Sequence, residues 1–245
     1  MVKDFTNELT DFNNRLKYRE PFTISRFNDG ELSIINNKPY KASRHHGTRE
    51  FIFAPGQKHI EFQKLLRAAY TYDHPTYYTG IVCPCCATLE EHLTAKETIS
   101  RPVDKLTWAN IFVNSNYKKF IESTVPLLCT YKRVVLVCNE ISTPSGLPFH
   151  SNIYKIVHIP TTAWLSGDII NELLEHVTSS PSGELYIFAA GPLANVLAMM
   201  CNEMNPDNTY IDIGSTLDSY LGLGRTRGYH KRNNKFNSRV CYWAD

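Results

Sequence analysis

The amino-acid sequence predicts a single α/β domain with a mostly parallel sheet and helices on both of its faces. In the C-terminal half, short β-rich apolar runs alternate with stretches of helical spacing. The strand-like runs are apolar on both faces, as in parallel sheets that helices cover on both sides. No internal repeat and no linker divides the 245 residues. The simplest organisation is therefore one domain over residues 1–245, with a basic C-terminal segment over residues 225–245.

The N-terminal half begins with an amphipathic helix over residues 5–17, predicted from the helical spacing of Phe5, Leu9, Phe12 and Leu16. A β-branched run over residues 22–26 predicts the first strand. The turn-forming residues 28–30 end this strand, and a short helix over residues 31–35 follows. Three further elements are predicted in the first half: a helix over 61–70, a strand over 77–82 and a helix over 116–128.

The C-terminal half shows the alternation most clearly. Four short apolar runs predict strands over residues 134–137, 154–158, 185–188 and 210–213. Helical spacing predicts helices between them over residues 165–177 and 192–204. This alternation is typical of a Rossmann-like sheet, in which ligands bind outside the carboxyl ends of the strands. The turns that follow the strands are therefore where a site is expected.

Charge and hydropathy favour no special class of partner. The formal net charge is +2 at pH 7, which gives no strong expectation of nucleic acid or of a membrane surface. No stretch approaches the roughly 18 apolar residues of a membrane span. The acidic, amphipathic N-terminus does not resemble a signal peptide. We therefore expect a cytoplasmic protein with no integral membrane segment.

The basic C-terminal segment carries five Lys or Arg residues and no acid between Arg225 and Lys235, with Tyr229 and His230 among them. The simplest interpretation is a solvated basic face. A nucleic-acid-binding module is the alternative, and counterion release would make its binding strongly salt-dependent. We favour the first interpretation and expect no nucleic-acid partner.

The sequence has seven cysteines, an odd number that does not indicate a disulfide framework in a chain of this length. Residues 83–86 read Cys-Pro-Cys-Cys, which invites a metal or redox interpretation. A structural zinc site needs a second pair of ligands, and only His92 lies within a few residues. The remaining cysteines are scattered singly. The sequence therefore favours reduced, buried or pocket-lining thiols that follow a strand.

Two carboxylates follow the first predicted strand. Asp29 and Glu31 flank Gly30, which lets the backbone turn sharply and present both groups to one small volume. Mg²⁺ and Mn²⁺ bind such oxygens together with substrate phosphates. The alternative is a simple turn followed by the first-turn acid of a helix. By spacing alone, this alternative is favoured.

Three later strand ends also carry polar or glycine-rich turns. Gly191 precedes a helix start whose free N–H groups suit a phosphate, or it forms an ordinary connection. Asp212, in an apolar strand, is either paired with a cation or faces the cleft. Ser215 and Asp218 are spaced as in a capping box. The polar turn over residues 138–144 is either a base-recognition loop or only a turn.

The run Ile24-Ser-Arg-Phe-Asn-Asp-Gly-Glu-Leu32 resembles the Arg-Phe-Gly-Asp-Gly-Glu signature of the GT-D glycosyltransferases, a bacterial family first described as a domain of unknown function. Asn28 replaces the usual glycine, and asparagine tolerates left-handed backbone angles better than most residues. Further blocks match in order over residues 108–117, 190–194 and 210–218, so the resemblance spans about residues 20 to 230.

The resemblance implies a Rossmann-like GT-D fold and transfer of a sugar from a nucleotide-sugar, often a UDP-sugar, to a glycan or glycoconjugate hydroxyl with inversion. It implies a divalent cation, Mn²⁺ or Mg²⁺, with Glu31 as the metal-side carboxylate and Asp29 contacting both metal and donor. Other donor-binding positions would be Arg26, Asn28, Gly191, Asp212, Gly214, Ser215 and Arg225, with Arg227 as an alternative to Arg225.

An inverting transfer also needs a general base for the acceptor hydroxyl. The candidates are Asp218, Asp212 and Glu140, and we take Asp218 together with Asp29 and Glu31 as the catalytic set. The alternative function is a nucleotide-sugar-binding or nucleotide-binding protein, or a hydrolase, without transferase activity. It would keep the same loop and sheet without an acceptor groove. The assembly state is open, and a homodimer is one state considered.

Overall fold

The computed structural model describes residues 3–42, 51–56, 59–160, 167–231 and 234–244. The described strands are β1 Thr23–Arg26, β2 Tyr40–Ala42, β3 Phe51–Phe53, β4 Tyr77–Ile81, β5 Leu106–Trp108, β6 Val134–Asn139, β7 Ile153–Ile159, β8 Leu185–Ala189 and β9 Thr209–Asp212. The described helices are α1 Phe5–Tyr18, α2 Asp29–Ile35, α3 Ile60–Thr71, α4 Leu89–Ile99, α5 Asn116–Lys119, α6 Val125–Leu128, α7 Gly167–Ser179 and α8 Leu193–Met204.

Seven of the strands form one sheet in the order β5-β4-β1-β9-β8-β6-β7, and every pairing in it is parallel. All residues of β1, β4, β6 and β9 are buried. Strands β2 and β3 form a separate antiparallel pair. The structure therefore confirms the predicted α/β class with a parallel sheet.

Helices cover both faces of this sheet, as the side-chain alternation of β1 shows. The amides of Asn195 and Asn202 on α8 donate to Ser25 Oγ and Thr23 Oγ1. On α1, Phe12 packs on Phe22, with ring centroids 5.4 Å apart. Because successive side chains of a strand point to opposite faces, α8 and α1 lie on opposite sides of the sheet.

The first and last strands of the sheet, β1 and β9, lie side by side at its centre. From β1 the chain leads to β4 on one side, whereas β9 is reached from β8 on the other side. This is a topological switch point, where the loops after neighbouring strands diverge and leave a crevice. The turns after residues 26 and 212 therefore flank the expected ligand site.

Most sequence-predicted elements are present with ends shifted by a few residues, and residues 165–166 of one predicted helix lie outside the described residues. The predicted helix over 116–128 is interrupted by a wider π turn at Phe120–Thr124. Pro126 follows this turn and lacks the N–H that a regular helix needs there. Within the described residues, none of the helices has both the length and the apolar character needed to cross a bilayer.

Three further elements are absent from the predictions: the β2–β3 pair, β5 and α4. Helix α4 had a sequence signal, because Thr88 and Glu91 form a capping box. The Thr88 N–H donates to the Glu91 carboxylate at 2.9 Å, and the Glu91 N–H donates to Thr88 Oγ1 at 3.1 Å. Strands β2, β3 and β5 have only three residues each, too few for a periodic pattern.

The contact between α8 and β1 gives a stability prediction. Asn202 is fully buried and donates to Thr23 Oγ1 at 2.9 Å and Thr76 Oγ1 at 2.8 Å. Asn202→Ala leaves both hydroxyls without this donor and is expected to lower the free energy of unfolding by about 1–3 kcal/mol. Urea denaturation measures the change. Met204→Ala, at an exposed position of the same helix, is the control; an equal loss in both variants would contradict the expectation.

Candidate functional site

Arg26, the last residue of β1, joins the ends of three strands. Its backbone N–H donates to Asp212 Oδ2 at 3.0 Å and its Nε donates to the Asp212 carbonyl at 2.7 Å. Its Nη1 donates to the carbonyl of Ala109, just after β5, at 3.3 Å. The guanidinium lies over the ring of Phe112. Arg26 therefore fixes the relative positions of the turns after β1, β5 and β9.

Asp212, the last residue of β9, is paired with this arginine. The Arg26 Nη2 lies 3.5 Å from Asp212 Oδ1, and the side chains are 6% and 5% exposed. The same oxygen accepts the N–H of Gly214 at 3.0 Å. Burial raises the pKa of Asp212, although the Arg26 guanidinium opposes the shift. Of the two interpretations left open for Asp212, pairing with a cation is the one observed.

Gly214 has a φ of 53°, in the left-handed region that favours glycine. A Cβ at this position would collide with the Arg26 guanidinium. On that side, the glycine is therefore covered by protein. Gly191, after β8, also has a left-handed φ of 57°, and among the described residues nothing lies within 4 Å of the position of its Cβ. Of the two glycine turns, only this one leaves open space beside the glycine.

The carboxylates after β1 lie in the first turn of α2. Asp29 is exposed, whereas Glu31 is partly buried and accepts the backbone N–H of Asn28 at 2.9 Å. Burial, together with repulsion from Asp212 and Asp29, raises the pKa of Glu31 to about 7. The turn and helix-start interpretation is thus correct as local structure. Glu31 nevertheless differs from the first-turn acid of an ordinary surface helix, because it is partly buried and lies near two other carboxylates.

Tyr40 of β2 lies over Gly30, where a Cβ on the glycine would come within 2.7 Å of its hydroxyl. Burial and the negative charges of Glu31 and Asp29 raise the pKa of Tyr40 to about 12. The charge of Arg227 acts on Tyr40 in the opposite direction. The acidic turn after β1 and the basic C-terminal segment therefore meet at this tyrosine.

The turn after β9 holds the other part of the site. Ser215 Oγ lies 2.7 Å from the Tyr229 hydroxyl and accepts from Arg227 Nε at 3.2 Å. Burial raises the pKa of Tyr229. Residues 214–222 form successive turns, so the capping box expected from Ser215 and Asp218 is wrong. The Ser215 hydroxyl forms hydrogen bonds with Tyr229 and Arg227 of the basic segment and does not cap the N-terminus of a helix.

Asp218 is buried beside this group. Its Oδ2 accepts from Thr226 Oγ1 at 2.5 Å. Tyr117 packs against both Tyr229 and His230, with ring centroids 5.1 and 5.6 Å away. Burial lowers the pKa of His230 and raises that of Tyr117 to about 12, so both rings are neutral at pH 7. Asp218 therefore lies close to a cluster of aromatic side chains.

The structure gathers most, but not all, of the residues expected at the site. Asp29, Glu31, Arg26, Asp212 and Ser215 surround the ends of β1 and β9. Exposed Arg225 lies close enough to His230 for its charge to act on that ring. Gly191 lies one strand farther, at the end of β8, which pairs with β9. Glu140 is exposed at the end of β6, two strands and about 10 Å from β9 along the sheet.

Tyr40 and Tyr117 are not among the site residues predicted from the sequence. Tyr229 and His230 are predicted to belong to a solvated basic face, yet both rings pack against Tyr117. The contacts of Tyr229 and His230 could not be predicted from the sequence. The segment after β9 is irregular and lacks the periodicity from which buried positions are inferred. The basic segment is therefore one wall of the site and not a separate tail.

Comparison with solved structures identifies the fold. A structure described as the highly conserved domain of unknown function 1792, with a distinct glycosyltransferase fold, is 14% identical; the match covers 94% of this chain and 87% of that chain, with a TM-score of 0.53. A structure described as a new glycosyltransferase (DUF1792) from Streptococcus sanguinis is 15% identical; the match covers 97% and 93%, with a TM-score of 0.60.

No family model matches the sequence, and no curated protein matches it either. At identities this low, the structural likeness shows the fold and not the activity. The resemblance noted in the sequence is thus confirmed as a shared fold over nearly the whole chain.

The Arg26–Asp212 pair gives a second stability prediction. Asp212→Asn leaves the buried guanidinium without its counter-charge, and we expect a loss of about 3–5 kcal/mol in the free energy of unfolding. Urea denaturation followed by tryptophan fluorescence measures it. Asp207→Asn, at an exposed position just before β9, is expected to change stability little. Comparable losses of unfolding free energy in the two variants would show that the Arg26–Asp212 pair contributes no more to stability than an exposed carboxylate does.

The pKa of Glu31 gives a pH prediction. Because the folded value of about 7 lies above the ordinary value of 4.5, protonated Glu31 stabilises the fold. This contribution is complete below pH 4.5 and is lost as the pH rises through about 7. Across this range, in buffer free of divalent cations, the wild-type chain should lose stability relative to Glu31→Gln. Exposed Glu90→Gln should follow the wild type; parallel curves for wild type and Glu31→Gln would refute the assignment.

Proposed function

We propose that the chain is a glycosyltransferase that moves a sugar from a nucleotide-sugar, in particular a UDP-sugar, to a hydroxyl of a glycan or glycoconjugate, with inversion at the anomeric carbon. The fold supports this proposal, since it is shared with structures described as glycosyltransferases. One observation carries it. The charges of Asp29, Glu31 and Arg227 all act on Tyr40, and Arg227 also bonds to Ser215 in the turn after β9, so acidic and basic groups lie together at the ends of β1 and β9.

This arrangement suits a sugar diphosphate. Arg227 is exposed and its Nε donates to Ser215, so its guanidinium lies at the turn after β9. Guanidinium groups form strong charge-assisted hydrogen bonds to phosphate. Arg225 is exposed nearby. The open turn at Gly191 precedes α8, a helix of 12 residues whose first N–H groups favour an anion. Arg26 and Asn28 act in this proposal through the backbone that they hold in place.

A divalent cation, Mn²⁺ or Mg²⁺, fits the carboxylates after β1. Both are hard oxygen donors, and such cations commonly take one or two protein carboxylates together with substrate phosphates. Burial is the main cause of the raised pKa of Glu31, and repulsion from Asp212 and Asp29 adds to it; a cation would relieve this repulsion. Glu31 would hold the cation, and Asp29 would contact both cation and donor. The cation would neutralise charge on the leaving diphosphate.

For the acceptor side, we propose that Asp218 is the general base. It is 6% exposed, lies beside Tyr229 and accepts a hydrogen bond from Thr226. Asp212 is less suitable because Arg26 and Gly214 occupy its two oxygens. Glu140 lies too far along the sheet. In this role Asp218 would take the proton of the acceptor hydroxyl as the hydroxyl oxygen attacks the anomeric carbon.

A cytoplasmic location and the absence of a nucleic-acid partner stay predictions, and the assembly state stays open, with a homodimer as one state considered. The alternative of a nucleotide-sugar-binding protein or hydrolase keeps the same carboxylates and differs only on the acceptor side. Acceptor dependence of UDP release therefore separates transfer from hydrolysis.

The donor side is tested by measuring UDP release from a panel of UDP-sugars with Mn²⁺, with and without glycan acceptors. Glu31→Gln and Asp29→Asn should each reduce acceptor-dependent release by about 10²-fold or more, because they remove charge stabilisation at the leaving group. Asp104→Asn is the matched control, since this exposed acid precedes β5 and therefore lies at the amino ends of the parallel strands, away from the site. Release that persists in Glu31→Gln would refute the assignment, and release independent of acceptor would indicate a hydrolase.

The acceptor side is tested with Asp218→Asn. Loss of a general base is expected to lower kcat by about 10²- to 10⁴-fold while donor binding is retained. Steady-state kinetics gives kcat, and calorimetric titration with UDP gives donor affinity. Thr226→Val removes only the hydrogen bond to the carboxylate and should have a much smaller effect. If Asp218→Asn loses UDP affinity and kcat together, the residue belongs to the donor site.

A further inference from the structure

Four cysteine sulfurs converge beside the carboxyl ends of β4 and β5, outside the site described above. Three belong to the segment 83–86, and the fourth, Cys241, follows Cys86 by 155 residues. The four sulfurs all lie within 4.8 Å of one another. None of these cysteines forms a disulfide. The sequence shows three of them together, and the fold supplies the fourth.

The separations fit a tetrahedral metal site. Around a zinc ion with Zn–S bonds of about 2.3 Å, the sulfurs of a regular tetrahedron lie about 3.8 Å apart. The observed sulfur separations include 3.2 Å for Cys83–Cys85, 3.8 Å for Cys85–Cys86 and 4.0 Å for Cys86–Cys241. Small rotations of the side chains would make them equal. A tetrahedral set of four thiolates is typical of zinc or of an iron–sulfur centre, and sulfur separations of this size match a single zinc ion.

The backbone turns so that three sulfurs face one point. The N–H of Cys86 donates to the Cys83 carbonyl at 3.1 Å, and the N–H of Ala87 donates to the same oxygen at 3.0 Å. Pro84 lies at the second position of this turn, where its fixed φ is favoured. Cys83 is buried, Cys85 partly buried and Cys86 exposed, which leaves a route by which an ion can enter.

Polar groups around the cluster donate hydrogen bonds to its sulfurs. Asn114 Nδ2 donates to Cys86 Sγ at 3.5 Å and to Cys241 Sγ at 3.4 Å. Asn114 has a left-handed φ of 56° and is 5% exposed, so its backbone is held in an uncommon conformation that aims the amide at the cluster. Arg239 Nη1 lies 3.6 Å from Cys86 Sγ. Such donors and one positive charge suit a zinc tetrathiolate, which carries excess negative charge.

We propose that Cys83, Cys85, Cys86 and Cys241 bind one structural zinc ion as four thiolates. Binding releases the four thiol protons to solvent and involves no change of oxidation state. All four positions around the metal are filled by protein, so the site is structural and not catalytic.

The zinc would fasten the C-terminal segment to the sheet. Next to Cys241, the ring of Trp243 packs edge-on against Trp108 and His92, at 5.3 and 4.8 Å. Trp108 Nε1 donates to the Tyr242 carbonyl at 3.4 Å. The Ser115 N–H donates to the carbonyl of Arg239 at 3.0 Å. These contacts bring Cys241 to the cluster, and a metal there would make their loss far less favourable.

The test is metal analysis of the full-length chain, purified under reducing conditions and reconstituted with ZnCl₂. We expect about one zinc ion per chain in the wild type and in Cys129→Ser, a partly buried cysteine outside the cluster. Cys86→Ser and Cys241→Ser should each fall well below that value. Replacement by Co²⁺ should give the thiolate charge-transfer and d–d bands of a tetrahedral site. A chelator should lower the Tm of the wild type more than that of Cys86→Ser.

Three results would overturn the proposal: a wild-type chain that binds no zinc while all its thiols react with an alkylating reagent, equal zinc content in every variant, or a bound metal other than zinc. Because Cys86 is exposed, its serine variant should fold even if Cys241→Ser does not, and circular dichroism checks this. The site is separate from the proposed transferase site, so UDP release and zinc content can fail independently.

Discussion

The buried ion pair between Arg26 and Asp212 is the interaction on which the site geometry depends. These residues end the two central strands, and their side chains are almost removed from solvent. A charge in such a place is tolerated only when it is paired and hydrogen-bonded. The pair sets the distance between the turn that carries Asp29 and Glu31 and the turn that carries Ser215 and Asp218. Its Asp212 carboxylate also adds to the effect of burial in raising the pKa of Glu31.

The two walls of the crevice come from opposite ends of the chain. The acidic wall follows the first strand, and the wall with Arg227, Tyr229 and His230 follows the last strand of the sheet. Farther along the chain, Trp243 packs on Trp108 of β5 and Cys241 joins the cysteine cluster. The C-terminal residues are thus held both at the turn after β9 and beside β5. These two attachments help to fix the position of the basic segment beside the site.

The parts of the fold and of the candidate site that could be predicted from the sequence are those with a periodic pattern. Long apolar strands and amphipathic helices carry a repeating signal, and the rule for parallel sheets directed attention to Arg26, Asp29, Glu31 and Asp212. Tyr40 could not be found, because it lies in a strand of three residues. Cys241 could not be joined to the cluster either, because a separation of 155 residues has no preferred spacing. Contacts of that kind are decided by tertiary packing alone.

The central pairing of β1 with β9 also has a consequence for synthesis. Arg26 meets Asp212 across a sequence separation of 186 residues. At about 5–20 residues per second, a ribosome takes roughly 10 to 40 s to make that stretch of chain. During this time the edge of β1 that later pairs with β9 has no partner strand, and the Arg26 guanidinium has no counter-charge to enter the interior with. The centre of the sheet therefore cannot be completed until the chain has been synthesised through Asp212, and the open edge of β1 is accessible to chaperones until then.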